Sequence, residues 1–264
     1  LTTDFIDLEN IKARLHNSNY QINGRLRFAQ NNGFNLRLKS ANADLKDIGP
    51  IAGLQFLGQG EVAAALEGAY AGPTISGTLN LNEASIAGYR IGDLKSTIIY
   101  NQEKLKLERI NGERDGGRFS GGISINFAVQ PSRITGSLNL YDVPSAPLLR
   151  DLGIAPEEAK QIRGKLQGMV SVNGALTQPN GFFEASTKKL SLAKINLGSN
   201  SIRGGFFDRE HVLWVKVERE EKKEPFKFDL SWTYDDTIKF DSQWKNLKTS
   251  RLQRLIPQQK LQGT

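Results

Sequence analysis

Hydrophobic and polar residues alternate with a period of two over most of this chain. The segments YQINGRLRF (20–28) and GFNLRLKS (33–40) place Tyr, Ile, Leu and Phe at alternate positions. The same alternation recurs in PTISGTLNL (73–81), GRFSGGISINF (117–127) and EPFKFDLSW (224–232). A period of two is typical of β-strands that bury one face. The sequence therefore predicts that the chain consists mostly of strands of this kind.

Short polar connections separate the predicted strands. Asn32-Gly33, NGERDGG (111–117), DREH (208–211) and YDD (234–236) are rich in residues that favour tight turns. The charged run EREEKKE (218–224) is typical of a solvated hairpin end. Because short turns join antiparallel neighbours, we expect a mainly antiparallel sheet that is apolar on one side.

A short helical motif interrupts the alternation and recurs along the chain. Leu45-Lys46-Asp47-Ile48, Leu149-Arg150-Asp151-Leu152 and Leu252-Gln253-Arg254-Leu255 begin 104 and 103 residues apart. Gly60 and Gly164 share the 104-residue offset, whereas Gly68 and Pro73 match Gly174 and Pro179 at 106. The segment APEEAKQIR (155–163) adds about two helical turns beginning near Pro156.

These offsets predict an array of repeat units in which neighbours share a continuous sheet. The predicted boundaries are 1–44 for the end of one unit, 45–148 and 149–251 for two full units, and 252–264 for the start of another. The alternative is an ordinary β-sandwich in which the Leu-x-x-Leu pairs recur by coincidence.

Composition narrows the possible classes of protein. The 264 residues include no Cys, which excludes disulfides, thiol catalysis and Cys-based zinc sites. The net charge of +7 would suit phospholipid head groups, lipopolysaccharide or nucleic acid, although interspersed charges also suit ordinary solubility. The chain begins at Leu1 and ends in KLQGT, so we expect it to be a piece of a longer or processed protein.

The repeated pattern resembles the AsmA-like/TamB superfamily of bacterial envelope proteins. The residues that carry the resemblance are ALTQPNGFFEA (175–185), AYAGPTISGTLNLNEASI (69–86) and IGDLKSTIIYNQEKLKLERI (91–110). Within them, Gly68, Pro73 and Gly77 match Gly174, Pro179 and Gly181. The resemblance extends over nearly the whole chain, but its motifs are degenerate. The family's N-terminal anchor and C-terminal domain are not in this sequence, which leaves the subfamily open.

The resemblance implies a fold, a location and a function. The fold is an all-β, elongated, curled sheet that forms a taco-like hydrophobic groove, with short helical links between repeats. The location is the periplasm, as a fragment of an inner-membrane-anchored envelope protein. The function is conduction of phospholipids between the inner and outer membranes, in support of outer-membrane biogenesis. The implied partners are phospholipid acyl chains, the two membranes through flanking regions, and an outer-membrane β-barrel protein.

The inward series of apolar residues is the predicted lipid-binding lining. It comprises Ile22, Leu26, Phe28, Leu36, Val62, Leu66, Ile75, Leu79, Phe119, Ile123, Ile125, Ile134, Leu138, Val170, Val172, Phe183, Phe226, Phe228, Leu230, Ile238 and Phe240. The alternative is that these side chains only pack against one another in a closed core. Around Leu213, Val215 and Val217 both strand faces are apolar, so that strand is either buried on both sides or in contact with a partner.

Other candidate sites are weaker. GQGEVA (58–63) matches a loose dinucleotide-binding pattern, but the residues after it alternate as a strand. His16 and His211 lie far apart with no carboxylate-rich motif beside either, and Asp235-Asp236 is more typical of a turn than of an acid–base pair. The basic segments QIRGK (161–165) and KKEPFKF (222–228) lack a nucleic-acid recognition motif. We therefore expect no enzyme activity, cofactor, metal or nucleic-acid partner.

The alternative function is a scaffold or chaperone-like module for outer-membrane protein assembly. A sheet edge would then pair with nascent β-strands. The two hypotheses differ in whether acyl chains or peptide occupy the apolar sheet.

Overall fold

The computed structural model of this chain is almost entirely β-sheet. It describes residues 4–28, 32–48, 56–86, 89–151, 156–192, 195–219 and 225–244. The elements are β1 Phe5–Leu15, β2 Ser18–Arg27, β3 Gly33–Asp44, α1 Leu45–Ile48, β4 Phe56–Gly68, β5 Thr74–Ile86, β6 Tyr89–Asn101, β7 Lys104–Arg114, β8 Gly117–Asn126, β9 Arg133–Pro144, α2 Ser145–Asp151, α3 Pro156–Ala159, β10 Ile162–Arg163, β11 Lys165–Ala175, β12 Gln178–Leu192, β13 Ile195–Phe206, β14 His211–Arg219, β15 Phe226–Thr233 and β16 Ile238–Trp244.

The sixteen strands belong to one sheet whose order follows the chain. Each strand is hydrogen-bonded to its sequence neighbours from β1 to β16, except that the short β10 pairs with β12 beside the main path. Such an order results when tight turns join consecutive antiparallel strands, as the alternation and turn residues predict. No helix among the described residues is long and apolar enough to span a bilayer.

The chain divides into two compact units. Unit 1 comprises Leu1–Arg114, Phe119–Gly136 and Ala175–Thr177. Unit 2 comprises Asp115–Arg118, Ser137–Gly174 and Gln178–Thr264.

Within unit 1, side chains on one face of the sheet are deeply buried. Leu81 is 1% exposed and Leu94 is 3% exposed, although all strands of the described chain belong to a single sheet. A flat single-layer sheet would leave such side chains in water, so the strands of the unit curl over their own apolar face. The prediction of an all-β, mainly antiparallel, curled sheet with short helical links is confirmed.

Three hairpins, β6–β7, β13–β14 and β15–β16, are closed by short polar side chains. In each, a side-chain oxygen at the turn accepts a hydrogen bond from a backbone N–H two or three residues later, which is the usual role of Asn and Asp in turns. The pairs are Asn101 with Lys104 at 2.7 Å, Asp208 with His211 at 2.6 Å and Asp235 with Thr237 at 3.1 Å. DREH and YDD are therefore turns, as predicted.

The first helical link lies as predicted at 45–48, and it is held by buried polar groups. The Asp44 carboxylate caps α1 by accepting the Lys46 N–H at 3.0 Å, and it also accepts the Gln59 amide at 3.1 Å. Ser18 is fully buried; its hydroxyl donates to Asp47 at 2.6 Å and accepts the Asp44 N–H at 2.8 Å.

The second link begins earlier than its leucines predict. Helix α2 begins at Ser145, four residues before Leu149, because the Ser145 N–H and hydroxyl donate to the carbonyls of Gly164 and Ile162, both at 2.9 Å. Helix α3 begins at Pro156 as predicted. The third predicted link, 252–255, lies outside the described residues, as do 220–224 of the charged hairpin run.

Candidate functional site

In unit 1, apolar side chains of adjacent strands lie directly opposite one another. The pairs in register are Leu26–Phe34, Leu36–Leu66, Val62–Leu79, Leu66–Ile75, Leu81–Leu94 and Ile98–Leu107. Directly opposed side chains in an antiparallel pair have Cβ atoms about 4.5–5.5 Å apart, close enough to pack. The apolar face of unit 1 is therefore continuous from β2 to β7.

Burial of this face varies along β5. Ile75 is half-buried, Leu79 is 7% exposed, and Leu81 and Ala84 are 1% exposed. The deeply buried end lies beside α1, since Asp44 pairs with Gln59 and Gln59 pairs with Asn82. Along this strand the face is closed near the helical link and accessible toward the opposite end.

Unit 2 has a more aromatic face whose rings lie over glycines. Phe183 pairs with Gly204, and Phe206 pairs with Gly181. A Cβ atom built on either glycine would lie 2.1 Å from the Cζ atom of the opposing ring. Only Gly leaves room for a ring to lie flat across the neighbouring strand, which explains these glycines in a strand interior.

Farther along unit 2, the apolar side chains form a closed cluster. Leu190, Leu197, Val217 and Phe226 are all less than a tenth exposed. Ile162, Ile202, Val215 and Phe228 pack against them as half-buried neighbours.

The predicted lining residues therefore have different degrees of burial. Leu36, Val62, Leu79, Phe119, Ile125 and Phe226 are buried. Ile22, Leu26, Leu66, Ile75, Ile123, Ile134, Leu138, Val170, Val172, Phe183, Phe228 and Leu230 are half-buried. Phe28 and Ile238 are 51% and 65% exposed, and the exposure of Phe240 is outside the described part of the chain. The half-buried residues are the ones that a ligand could contact without unfolding the sheet.

The predicted lining omits several buried residues. Leu81 and Leu94 are paired across β5 and β6, and Leu105, Leu107 and Ile110 follow one another on β7. Leu81, Leu105 and Leu107 lie in the segments NLNEASI (80–86) and KLKLERI (104–110), where alternation provides the signal, whereas Ile110 falls outside the alternation.

The outward side of β14 is covered by its own neighbours. The Trp214 indole lies against Gly205, where an added Cβ would be 2.6 Å from Nε1, and its ring centroid is 6.2 Å from that of Phe182. Val215 and Val217, on the other side, pack into the apolar cluster. The strand with two apolar faces thus has intramolecular contacts on both.

Each histidine lies beside one carboxylate. The His16 Nδ1 atom is 3.3 Å from Asp47, and the His211 Nδ1 atom is 3.1 Å from Asp208. Burial would raise the pKa of Asp208, but hydrogen bonds from Glu210 and His211 outweigh it and leave that pKa below its usual value. In the described part of the chain, no three His, Asp or Glu side chains are grouped as a metal site would require.

No family model, curated protein or solved structure matches this chain.

Proposed function

We propose that this chain is a segment of a periplasmic bridge that conducts phospholipids between the inner and outer membranes along the apolar face of its sheet. The observation that carries the proposal is the continuous, partly accessible apolar face within a single-layer sheet. In unit 1 that face includes the opposed pair Leu66–Ile75, both half-buried.

The physics of lipid transfer supports an open apolar surface. Exposing the two acyl chains of a phospholipid to water costs on the order of 24 kcal/mol, at roughly 0.8 kcal/mol for each of about thirty methylenes. Aliphatic side chains would offset this cost by covering the acyl chains. Because they make no hydrogen bonds, they would not fix the lipid at one position along the sheet. Such weak and repeated contacts favour movement over storage.

Two adjacent residues of β5 provide a matched test. Ile75 is half-buried on the apolar face, and Ser76 is exposed on the opposite face. A photo-crosslinking amino acid at position 75 should label radioactive phospholipid, and the same group at 76 should not. Equal labelling at the two positions would contradict the proposal.

A charge test separates passage from folding. Ile75→Asp should block lipid transfer between donor and acceptor vesicles, because a carboxylate in the apolar path is costly to desolvate. Ser76→Asp is the control and should transfer lipid normally. Circular dichroism of both variants establishes that each is folded.

The edge strand β1 supports a second candidate, a scaffold that pairs with nascent outer-membrane strands. Phe5, Ile6, Ile11 and Leu15 of this strand are 40–47% exposed. Among the described residues β1 is hydrogen-bonded only to β2, and this candidate requires an added strand to pair with the outer edge of β1. Mass spectrometry of material that co-purifies with the chain distinguishes the candidates: phospholipid supports conduction, and unfolded β-barrel peptide supports the scaffold.

A further inference from the structure

A β-bulge in unit 2 turns two consecutive lysines to the same side of the sheet. Thr187 pairs with Asn200 and Leu190 pairs with Gly198, so Lys188 and Lys189 together oppose a single residue of β13. Consecutive side chains of a regular strand point to opposite faces, and an extra residue interrupts that alternation. Both lysines are exposed, on the face opposite the apolar one.

The two lysines border a hollow of about 550 Å³ beside the second helical link. Arg163 and Lys165 line it from β10 and β11, and Asp142 is the one acidic residue of the lining. The wall is completed by Pro144, Ser145, Ala146, Gly164, Gln167, Ser186 and Ser191. Four cationic side chains thus converge on one concave surface.

The positive charges of the hollow are not neutralised within the described chain. Lys165, Lys188 and Lys189 make no ion pair with a described residue, and Arg163 donates its Nε–H to the Lys160 carbonyl at 3.0 Å. The Asp142 carboxylate accepts the Gln167 amide at 2.9 Å. An anion with several acceptor oxygens would satisfy both the charge and the unused donors.

The corresponding place in unit 1 has the opposite charge. The bulge of β5 has the same form, since Leu81 pairs with Leu94 and Ala84 with Gly92, leaving two residues opposite one. Those two residues are Asn82 and Glu83, and the strand beside them has Gln59 and Glu61 where unit 2 has Arg163 and Lys165. The fold therefore does not require the cations, which points to a ligand.

We propose that the hollow of unit 2 binds a phosphate-bearing anion, either free or as the head group of a phospholipid. The guanidinium and three ammonium groups match the multiple charges and oxygens of phosphate. Because the hollow is on the face opposite the apolar side chains, this site is independent of the proposed conduction path.

Calorimetric titration with inorganic pyrophosphate tests the site directly. The variant Lys188→Ala/Lys189→Ala should bind at least about tenfold more weakly than the parent chain, since it loses two charge-assisted hydrogen-bond donors. The control is Lys12→Ala/Lys104→Ala, which removes two exposed lysines in unit 1 and lowers the net charge equally, from +7 to +5 (7 − 2 = 5). The control should bind like the parent.

Vesicle sedimentation distinguishes the two sources of phosphate. If phosphatidylglycerol vesicles bind the parent chain but not the Lys188→Ala/Lys189→Ala variant, the ligand is a head group. If the parent chain and this variant differ only in their affinity for pyrophosphate, the ligand is a free phosphate compound. Equal loss of pyrophosphate affinity in the two double variants would show that net charge alone accounts for the effect. That result would overturn the proposal. Absence of pyrophosphate and vesicle binding by the parent chain would overturn it as well.

Discussion

The bulges of β5 and β12 have the same strand register and opposite chemistry. In unit 1 the paired residues before the bulge are Leu81 and Leu94; in unit 2 they are Thr187 and Asn200. All four side chains are less than a twentieth exposed. The comparison teaches that backbone register is compatible with either an apolar or a polar inward pair, so stability and surface chemistry can change without a change of fold.

The two inward pairs differ in whether they bury polar atoms that lack a hydrogen bond. Leu81 and Leu94 have only apolar side-chain atoms to bury. The Thr187 hydroxyl and the Asn200 carbonyl oxygen have no hydrogen-bond partner among the described residues, although the Asn200 amide donates to the carbonyls of Leu197 and Gly198. Because unpaired buried polar atoms are destabilising, we expect this end of unit 2 to be weaker than its counterpart.

The largest expected effect comes from truncating the unit 1 pair. Leu81→Ala should lower the free energy of unfolding by about 3 kcal/mol, through lost burial and a residual cavity. Thr187→Ala in unit 2 should cost about 1 kcal/mol or less, since its hydroxyl has no described hydrogen-bond partner to lose. Urea denaturation followed by circular dichroism measures both. Equal costs would contradict the difference between the units.

The two helical links provide the next comparison. Ser18→Ala removes a hydroxyl that bridges Asp47 and the Asp44 N–H, leaves the buried Asp44 N–H without this acceptor, and should cost about 2 kcal/mol. Ser145→Ala removes one donor to the Ile162 carbonyl and should cost about 1 kcal/mol. The same denaturation experiment ranks them. A larger cost at Ser145 would reverse our assignment of the more strongly held link.

Replacing the unsatisfied hydroxyl should stabilise unit 2. Thr187→Val preserves shape and removes the unpaired polar atom, with an expected gain of about 1 kcal/mol. All three tryptophans, Trp214, Trp232 and Trp244, belong to unit 2, so tryptophan fluorescence follows its unfolding. Thr187→Ser retains the hydroxyl and should show no gain. If Val destabilises the chain, the hydroxyl has a partner in solution.

The smallest effect concerns acid stability. The pKa of Asp208 is lower in the folded chain than its ordinary value, because hydrogen bonds to its carboxylate outweigh burial. Its contribution to stability is therefore present above the unfolded pKa and is lost as the pH falls through the folded pKa. Asp208→Asn should flatten the fluorescence-detected loss of stability between about pH 5 and pH 2. An unchanged acid profile would count against this role.

Local pattern was sufficient for the strands, the turns at DREH and YDD and the first link, whereas the predicted connection NGERDGG is a turn only at Asp115-Gly116 because β7 extends to Arg114. The alternation in segments such as PTISGTLNL specified β5, and DREH and YDD specified turns, because side-chain period and turn chemistry act over a few residues. The second link was placed four residues late, since α2 begins where Ser145 finds carbonyls 17 and 19 residues away in the chain.

By itself, the sequence determined that this protein is an antiparallel β-sheet with one apolar face, because alternation and turn residues are local properties. Only the tertiary structure decided which apolar residues are closed off and which stay accessible, as Ile75 and Leu81 differ in burial but not in pattern. It also decided that Lys188 and Lys189 share a side with Arg163. The burial of the apolar residues and the placement of these cationic side chains depend on strand register and on the curl of the sheet. Register and curl arise from contacts between residues distant in the chain.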